Sequence, residues 1–244
     1  MDVYWLQQTQ MNLPGGVDWL SSRESSRLHE FHFPKRRADW VLGRWTAKLA
    51  VASHLRLCRD HETLRSIEII AAPSGVPEIL FAGKLLDVAI SLTHSGDVAA
   101  CALSSSSQAL GCDLEQIEPR SDAFIVDYFT AEEQALVRSA PTDCRWRLIA
   151  LLWSAKESAL KALRVGLRLD TRCVHVIVDS GEPNPSHLTR DWLPLHVAYT
   201  GGRVFSGWWR ESGRFVQTMV GDPAPNAPVE LSLPAERGAG VARF

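Results

Sequence analysis

Two carboxylates in the run Gly111-Cys112-Asp113-Leu114-Glu115 could do chemistry together. Side chains alternate between the faces of a strand, so in a strand over this run Asp113 and Glu115 point to one side, and Gly111 leaves room beside them. Cys112 and Leu114 then point to the opposite, apolar side. Paired carboxylates suit Mg²⁺, which proteins usually hold with one or two carboxylates, waters and substrate phosphates. A solvated strand face carrying ordinary acids is the open alternative.

A third carboxylate and a lysine lie in the segment W-S-A-K-E-S-A-L-K, which spans residues 153–161. The apolar residues at helical spacing here are Leu148, Leu151, Leu152, Ala155, Ala159 and Leu163. The residues left on a separate stripe are Trp153, Glu157, Lys161 and Arg164. Glu157 and Lys161 therefore stand one helical turn apart. A surface Glu-to-Lys pair, worth about 0.2 to 0.5 kcal/mol, is the alternative.

The pattern of apolar residues predicts the elements that must position these groups. In the first half it predicts a helix over residues 38–57 and strands over 64–70, 86–93 and 98–103. In the second half it predicts a strand over 109–115, helices over 123–129, 131–139 and 145–164, and strands over 174–178, 195–199, 204–209 and 215–220. The polar run 104–108 is the predicted boundary between two mixed halves, 1–108 and 109–221. Residues 222–244, rich in Pro and Ala, are predicted to form a flexible tail.

Composition narrows the class of protein. The chain has 244 residues, of which 45% are hydrophobic and 22% charged, so one large or two small packed domains are expected rather than disorder. A net charge of −2 gives no basic field for nucleic acid or an anionic membrane. The longest apolar runs are far shorter than the roughly 20 residues of a membrane span, and the start of the chain does not resemble a secretory signal. Five scattered cysteines predict neither a disulfide framework nor a zinc site, and a cytoplasmic location is expected.

Together and in this order, the two charged motifs are similar to the paired signature of the 4′-phosphopantetheinyl transferases, G-x-D-x-E and W-x-x-K-E-x-x-x-K. The likeness is to the larger, monomeric, Sfp-like branch, and it covers about residues 5–220. Flanking segments agree: residues 128–133 resemble the family's F-[ST]-x-x-E, residues 91–96 its S-H-S turn, residues 36–44 its first-helix segment, and residues 166–167 its G-L.

The resemblance implies both a fold and a reaction. The fold is α+β, with two similar α/β subdomains related by a pseudo-twofold axis, each a mainly antiparallel sheet packed with helices. The reaction moves the 4′-phosphopantetheine arm of coenzyme A to a serine of an apo acyl, peptidyl or aryl carrier protein and releases adenosine 3′,5′-bisphosphate. The carriers of fatty-acid, polyketide and nonribosomal-peptide synthases are all candidates, and one chain is expected to act as a monomer.

The resemblance also assigns the acidic residues. Asp113, Glu115 and Glu157 are implied as ligands of Mg²⁺, or Mn²⁺, on the coenzyme A pyrophosphate. A serine hydroxyl must lose its proton as it attacks phosphorus, so a carboxylate near the metal is the natural general base. Glu157 is the first candidate for that base and Glu133 the second. Lys161 is implied in stabilising the departing phosphate.

The nucleotide and the carrier protein are expected to meet other parts of the chain. The residues implied in coenzyme A binding are Arg36, Arg37, Arg44, Thr93, His94, Lys156 and Lys161. One departure concerns the run Gly75-Val76-Pro77, because many relatives carry G-K-P and the lysine is missing here. The surface considered for the carrier consists of Phe124, Tyr128, Phe129, Arg120 and Arg138, with core packing as the alternative explanation of the aromatic rings.

Two other functions are weighed against transfer. A non-catalytic module that binds coenzyme A or a carrier protein is suggested by the missing lysine at Val76. A metal-dependent nuclease of the D…[DE]-x-K type fails on spacing, since Gln116 and Ile117 follow Glu115 and no lysine stands two positions on. The absence of a basic field argues against a nuclease as well.

Overall fold

The computed structural model describes residues 1–105, 108–177 and 191–233. Its α-helices are α1 (Ser22–His29), α2 (Pro34–His54), α3 (His61–Ser66), α4 (Asp122–Tyr128), α5 (Ala131–Ser139) and α6 (Thr142–Ala162). Its strands are β1 (Val3–Thr9), β2 (Ile67–Ala71), β3 (Pro77–Phe81), β4 (Lys84–Leu85), β5 (Ala89–Ser95), β6 (Val98–Ser104), β7 (Ala109–Gln116), β8 (Val174–Ile177), β9 (Leu193–Tyr199), β10 (Val204–Ser212), β11 (Phe215–Asp222) and β12 (Val229–Glu230). Within these ranges no helix has both the length and the apolar character needed to cross a bilayer.

The first half of the chain builds a four-stranded sheet of order β12-β1-β6-β5. β5 and β6 form a hairpin that turns at Gly96, whose φ of 60° is a left-handed conformation that glycine adopts without strain. β6 then pairs antiparallel with β1. Helix α2 packs across β6 and β1, and its buried residues Leu49, Ala50 and Val51 form part of the core of this half. Strands β2, β3 and β4 form a separate antiparallel meander.

The second half builds a five-stranded antiparallel sheet of order β7-β11-β10-β9-β8. Helix α6 lies across β7 and β11 and is buried around most of its circumference. Small residues allow this close approach, because Ser154, Ala155, Ser158 and Ala159 keep the helix near the sheet. The less buried stripe carries Trp153, Glu157 and Lys161. The stripe predicted from helical periodicity is thus confirmed for these three residues.

The two halves repeat one plan. In each, a first strand (β1 or β7) pairs antiparallel with the last strand of a hairpin (β6 or β11), and a 21-residue helix (α2 or α6) packs across that pair. The expected α+β architecture, with antiparallel sheets packed against helices, is confirmed.

A buried ion pair is repeated at the same place in both halves. Lys48 Nζ lies 2.5 Å from Glu24 in the first half, and Lys156 Nζ lies 2.8 Å from Glu133 in the second. Each glutamate closes the capping box of a helix, α1 or α5, and accepts a backbone amide from a strand, β2 or β8. No repeat is detectable in the sequence. The two halves nevertheless share this buried Lys–Glu pair at matching positions.

The prediction of a flexible tail is wrong for residues 222–233. β12 pairs in parallel with β1, and the amide of Leu231 donates to the Trp5 carbonyl at 2.8 Å. The side chains of Leu231 and Leu233 pack against the core of the first half. Without β12, β1 would be the edge strand of its sheet, so β12 satisfies backbone groups that β1 would otherwise leave unpaired. Residues 234–244 lie outside the described part of the chain.

The boundaries of the predicted elements shift at both ends. The helix predicted over 38–57 starts at Pro34, a residue favoured in the first turn, and ends at His54. Residues 64–66, predicted as strand, form the end of α3. Strand β8 covers the predicted span only to Ile177, because residue 178 lies outside the described residues. β1 and α1 were not predicted, since neither is longer than eight residues and neither has a clear apolar period.

Candidate active site

The two sheets meet where β5 runs beside β7, and this seam positions Asp113. Ser91 Oγ accepts the amide of Cys112 at 2.9 Å, and Thr93 Oγ1 accepts the amide of Leu114 at 3.2 Å. Thr93 donates its own hydroxyl proton to Asp113 Oδ1 at 2.9 Å. The Thr93 hydroxyl therefore links the first half to a carboxylate of the second, and its predicted contact with a nucleotide stays a prediction.

Lys161 reaches the same carboxylate from α6. Its Nζ donates to Asp113 Oδ1 at 2.7 Å and to the Cys112 carbonyl at 3.0 Å. Burial, the largest single influence, acts to lower the pKa of Lys161, but the charges of Asp113, Cys112 and Glu157 and the hydrogen bond to Asp113 together outweigh it and raise the pKa. A fixed ammonium charge thus lies beside Asp113.

The second oxygen of Asp113 has no partner in the part of the chain that the structure describes. Asp113 is 4% exposed, and no donor among the described residues reaches its buried Oδ2. Buried acceptors in proteins are nearly always hydrogen bonded, so an unpartnered carboxylate oxygen is expected to meet a cation or water. Lys161 and Thr93 both bind Oδ1, which leaves Oδ2 as the available ligand atom.

Glu115 lies two residues along the same face of β7. Trp153 Nε1 donates to Glu115 Oε1 at 3.1 Å, and Arg120 Nη2 donates to Oε2 at 3.0 Å. Burial and the nearby charge of Asp113 raise the pKa of Glu115 to about 7, although Arg120 acts in the opposite direction. The carboxylate is thus held in place on an acidic face where a further positive charge would be favourable.

Glu157 completes the acidic face from α6. Burial raises the pKa of Glu157, and the charge of Asp113 raises it further. The three carboxylates interact electrostatically, yet among the described side chains no three acids, histidines or cysteines already converge on one point. Repulsion between the like charges adds to the effect of burial in raising the pKa values of Glu115 and Glu157. Hard carboxylate oxygens with one unpartnered atom fit Mg²⁺ or Mn²⁺.

Gly111 has a different role from the one predicted. A Cβ atom at this position would lie 1.8 Å from the carbonyl oxygen of Ser158 and 2.8 Å from the amide nitrogen of Ala162, both in the backbone of α6. The missing side chain therefore makes room for the helix and not for the carboxylates. Because α6 carries Glu157 and Lys161, this contact sets their distance from Asp113 on β7.

Two predicted site residues lie in the core instead. Lys156 is fully buried and donates to the carbonyls of Thr171 and Val174 at 3.0 and 2.5 Å as well as to Glu133. Glu133 is 3% exposed and closes the capping box with Thr130. Neither side chain can reach a substrate, so the assignments of Lys156 to coenzyme A and of Glu133 to proton transfer are wrong.

We expect Lys156→Met to lower the free energy of unfolding by about 3 to 5 kcal/mol, because it leaves the Glu133 carboxylate buried without its counter-charge. Urea unfolding measures this loss. Lys48→Met, which breaks the matched pair in the first half, should cost a similar amount. If the double variant Lys156→Met/Glu133→Gln regained part of the lost free energy of unfolding, the unpaired charge of Glu133 would be confirmed as the cause. If Lys156→Met were as stable as the unaltered protein, this explanation would be contradicted.

His94 faces a carboxylate that the sequence reasoning missed. Its Nε2 lies 3.6 Å from Asp39 Oδ2, and Lys35 Nζ lies 3.1 Å from the same oxygen. His94 is 54% exposed, whereas Asp39 is only 13% exposed. A phosphate bound at His94 would therefore lie close to a negative charge as well as to two basic side chains.

The arginines of α2 divide into two groups. Arg36 and Arg37 are exposed, and the guanidinium of Arg36 stacks on Phe31 with 5.8 Å to the ring centre. Arg44 is 18% exposed, with Nε 3.8 Å from Glu24 and its guanidinium over Trp40. Burial lowers the pKa of Arg44. Existing protein contacts thus engage Arg44 more than the other two, and contact of all three with a nucleotide stays a prediction.

A cavity of about 900 Å³ opens between the two halves beside Lys161. Its first-half wall includes apolar Val76, Pro77, Leu86 and Val88, together with two acids, Glu78 and Asp87. Its second-half wall carries three cations, Lys161, Arg164 and Arg168. A volume of this size is typical of small-molecule sites, and the mixed lining suits an anionic ligand with an apolar or aromatic portion. Arg36, Arg37, Arg44 and His94 are absent from the described lining.

Aromatic rings lie next to the acidic face. Phe124, Tyr128 and Trp153 contact one another with ring centres about 5 Å apart, and Arg120 stacks on Phe124. Tyr128 is partly exposed, but Phe129 is fully buried, so Phe129 cannot contribute to a surface for a carrier protein. Of the other residues of that predicted surface, Arg120 donates to Glu115, and Phe124 and Tyr128 pack against Trp153, which also donates to Glu115. Arg138 is exposed on α5.

Acids on one strand, an acid and a lysine on the facing helix, and an adjacent ligand-sized cavity together suit a site that handles phosphate groups. A family model of the 4′-phosphopantetheinyl transferase superfamily matches residues 109–209. The chain is 28% identical to the 4′-phosphopantetheinyl transferase HetI of Nostoc sp. over 66% of its own length and 67% of that protein. It is 26% identical to slr0495 of Synechocystis sp., whose name gives the same activity as provisional, over 67% of its own length and 65% of that protein.

Residues 109–209 of the chain therefore resemble the 4′-phosphopantetheinyl transferase superfamily, and both relatives carry that activity in their names. The matched residues 109–209 include all three carboxylates of the acidic face and Lys161. The chain spans about two thirds of the length of the two relatives.

Several contacts of the site were not predicted, and two of them had a sequence signal. The order Thr130-x-x-Glu133 before an apolar run is a capping box, which indicates a structural glutamate. Trp153 precedes Glu157 by one turn on the same stripe, which places its ring near the acids. The contacts of Asp39 with His94 and of Arg168 with Ser74 gave no such signal, because these partners lie far apart in the sequence.

Proposed function

We propose that the protein transfers 4′-phosphopantetheine from coenzyme A to a serine hydroxyl of an apo acyl or peptidyl carrier protein, as a holo-carrier-protein synthase of the Sfp-like branch. The observation that carries the proposal is Asp113, whose Oδ1 is held by Lys161 and Thr93 while its buried Oδ2 has no partner among the described residues. An acid arranged in this way can share a cation with the phosphates of a substrate.

Asp113, Glu115 and Glu157 would hold Mg²⁺ or Mn²⁺. When bound, such a cation neutralises charge on phosphate oxygens and aligns them for displacement. Trp153 and Arg120 fix Glu115, and the β5–β7 seam fixes Asp113, so two of the three ligands are positioned in advance. Electrostatic stabilisation by preorganised groups is the main contribution that proteins make to phosphoryl transfer.

Glu157 is the residue that accepts the proton of the serine. Glu133, the other candidate, is buried in its pair with Lys156. Burial and Asp113 raise the pKa of Glu157, so this carboxylate is a better proton acceptor than an exposed glutamate. As the serine oxygen forms its bond to the β-phosphorus, the bond from that phosphorus to the bridging oxygen breaks, and the serine proton passes to Glu157.

Lys161 stabilises the leaving group, adenosine 3′,5′-bisphosphate. Its ammonium is fixed beside Asp113 and also lines the cavity between the halves, so it faces both the acidic site and the place proposed for the nucleotide. The charge that develops on the departing phosphate oxygen is then next to a cation that needs no rearrangement.

One chain supplies every part of this proposed site. Thr93 comes from the first half, and Asp113 and Lys161 come from the second, which supports the prediction that a monomer suffices. The cytoplasmic location expected from the sequence likewise stays a prediction.

The test of the proposal is transfer to apo carrier proteins in the presence of coenzyme A and Mg²⁺. EDTA should abolish transfer, and added Mg²⁺ or Mn²⁺ should restore it. The alternative function, a module that binds coenzyme A or a carrier without catalysis, predicts binding of both partners without transfer under any of these conditions. Activity that persists in EDTA would contradict the role proposed for the three carboxylates.

A further inference from the structure

Arg168 lies at the rim of the cavity between the two halves. It ends a short 3₁₀ helix, Gly166–Arg168, that follows α6. Its Nη2 donates across the cavity to the Ser74 carbonyl at 2.6 Å, and its Nε donates to the Val165 carbonyl at 3.2 Å. The same Nη2 lies 3.9 Å from the point where a Cβ of Gly75 would stand. Arg168 therefore lies beside the turn in which Val76 replaces the lysine of many relatives.

Among the described residues, no acid forms an ion pair with Arg168. Both of its hydrogen-bond acceptors are neutral carbonyls, and no carboxylate of the described residues lies within ion-pair distance of it. A guanidinium has five N–H donors, of which these contacts use two. Arg172, four residues on, is different because it is paired with Asp170 through several hydrogen bonds.

The surroundings of Arg168 favour an anion with an apolar or aromatic portion. Lys161 and Arg168 line the same cavity, one beside the acidic site and the other at the rim. The facing wall offers Val76, Pro77 and Leu86, apolar groups on which a base ring can pack. Glu78 and Asp87 also lie on that wall, so the positive charge of the cavity is concentrated on the side of Lys161 and Arg168. Guanidinium groups bind phosphate oxygens with strong, charge-assisted hydrogen bonds.

We propose that Arg168 binds a phosphate group of the nucleotide half of coenzyme A, supplying from the second half of the chain the cation that position 76 lacks. The proposal rests on the function proposed above. A 3′-phosphate and a diphosphate offer the same chemistry to a guanidinium, and comparison of coenzyme A with dephospho-coenzyme A distinguishes them.

The experiment is calorimetric titration of the full-length protein with coenzyme A and with dephospho-coenzyme A, without a carrier protein. Arg168→Met should weaken coenzyme A binding by about tenfold or more, as expected for loss of a charge-assisted hydrogen bond. Arg172→Met, the matched control, should leave the affinity unchanged. Val76→Lys added to Arg168→Met should restore most of the lost affinity, because it returns a cation to the facing wall.

The two ligands separate the possible phosphates. An effect of Arg168→Met on coenzyme A alone would support contact with the 3′-phosphate, and an equal effect on both ligands that Val76→Lys reverses would support contact with the diphosphate. If Arg168→Met bound both ligands as tightly as the unaltered protein, the inference would be overturned. It would also be overturned if Arg168→Met lost affinity and had a lower melting temperature, and if Val76→Lys did not restore that affinity. If the unaltered protein bound no coenzyme A, the proposed function would fail together with this inference. If the unaltered protein bound coenzyme A and only the prediction for Arg168→Met failed, the proposed transfer function would stand.

Discussion

Replacement of Glu157 by Gln is expected to lower the rate of phosphopantetheine transfer by about 10³-fold or more, because the change removes both a cation ligand and the proton acceptor. Stability is expected to stay the same or to rise. Burial and Asp113 raise the pKa of Glu157, which means that its ionised form is disfavoured in the folded state. A neutral amide of the same shape removes this cost at neutral pH.

Activity and stability thus move in different directions in Glu157→Gln, as expected for a functional group and not for a packing residue. The measurements are the initial rate of transfer and urea unfolding without added metal. Glu132→Gln is the matched control, because Glu132 is exposed on α5 and should give the unaltered rate. Full activity of Glu157→Gln would show that Glu157 is neither a required ligand nor the base.

Replacement of Gly111 by Ala is expected to lower both stability and activity. The new Cβ would stand 1.8 Å from the carbonyl oxygen of Ser158, so α6 must move away from β7 or the strand must shift. Overpacking of a tight contact costs about 1 to 3 kcal/mol and sometimes more, and a clash with backbone cannot be relieved by a rotamer change. We therefore expect a loss of at least about 3 kcal/mol in the free energy of unfolding.

The same movement should also lower activity, because Asp113 lies on β7 and Lys161 on α6, on opposite sides of the contact. Gly43→Ala in α2 is the control: no atom lies within 4 Å of its Cβ position, and alanine in a helix interior should stabilise the protein by about 0.5 to 1 kcal/mol. Urea unfolding and the transfer rate measure both effects. A Gly111→Ala protein of unaltered stability would contradict the close approach of helix and strand.

Local periodicity was sufficient to predict each of the two parts of the acidic face, the strand part and the helix part, separately. Alternation on a strand placed Asp113 and Glu115 together, and the helical period placed Glu157 and Lys161 on one stripe. The relation between strand and helix could not be deduced in this way, because it depends on packing between residues far apart in the sequence. The contact of Lys161 with Asp113 appears only in the folded structure.

The errors arose where a long-range partner decides the role of a side chain. Lys156 adjoins Glu157 in the sequence, yet one position on a helix turns a side chain by about 100°, and Lys156 points into the core. Its partner Glu133 is 23 positions away, and only folding brings the two together. The tail is a similar case, because β12 has two residues, too few to show a period, and its partner β1 lies at the other end of the chain.

The mass of an apo carrier protein, measured after incubation with the protein, coenzyme A and Mg²⁺, provides the sharpest test of the proposed transfer. A panel of apo acyl and peptidyl carriers should include at least one that gains the mass of a single phosphopantetheine group at its serine. The gain should disappear with EDTA and with Glu157→Gln. No added mass on any carrier, with a protein that is folded and binds coenzyme A, would contradict transfer and favour a binding module.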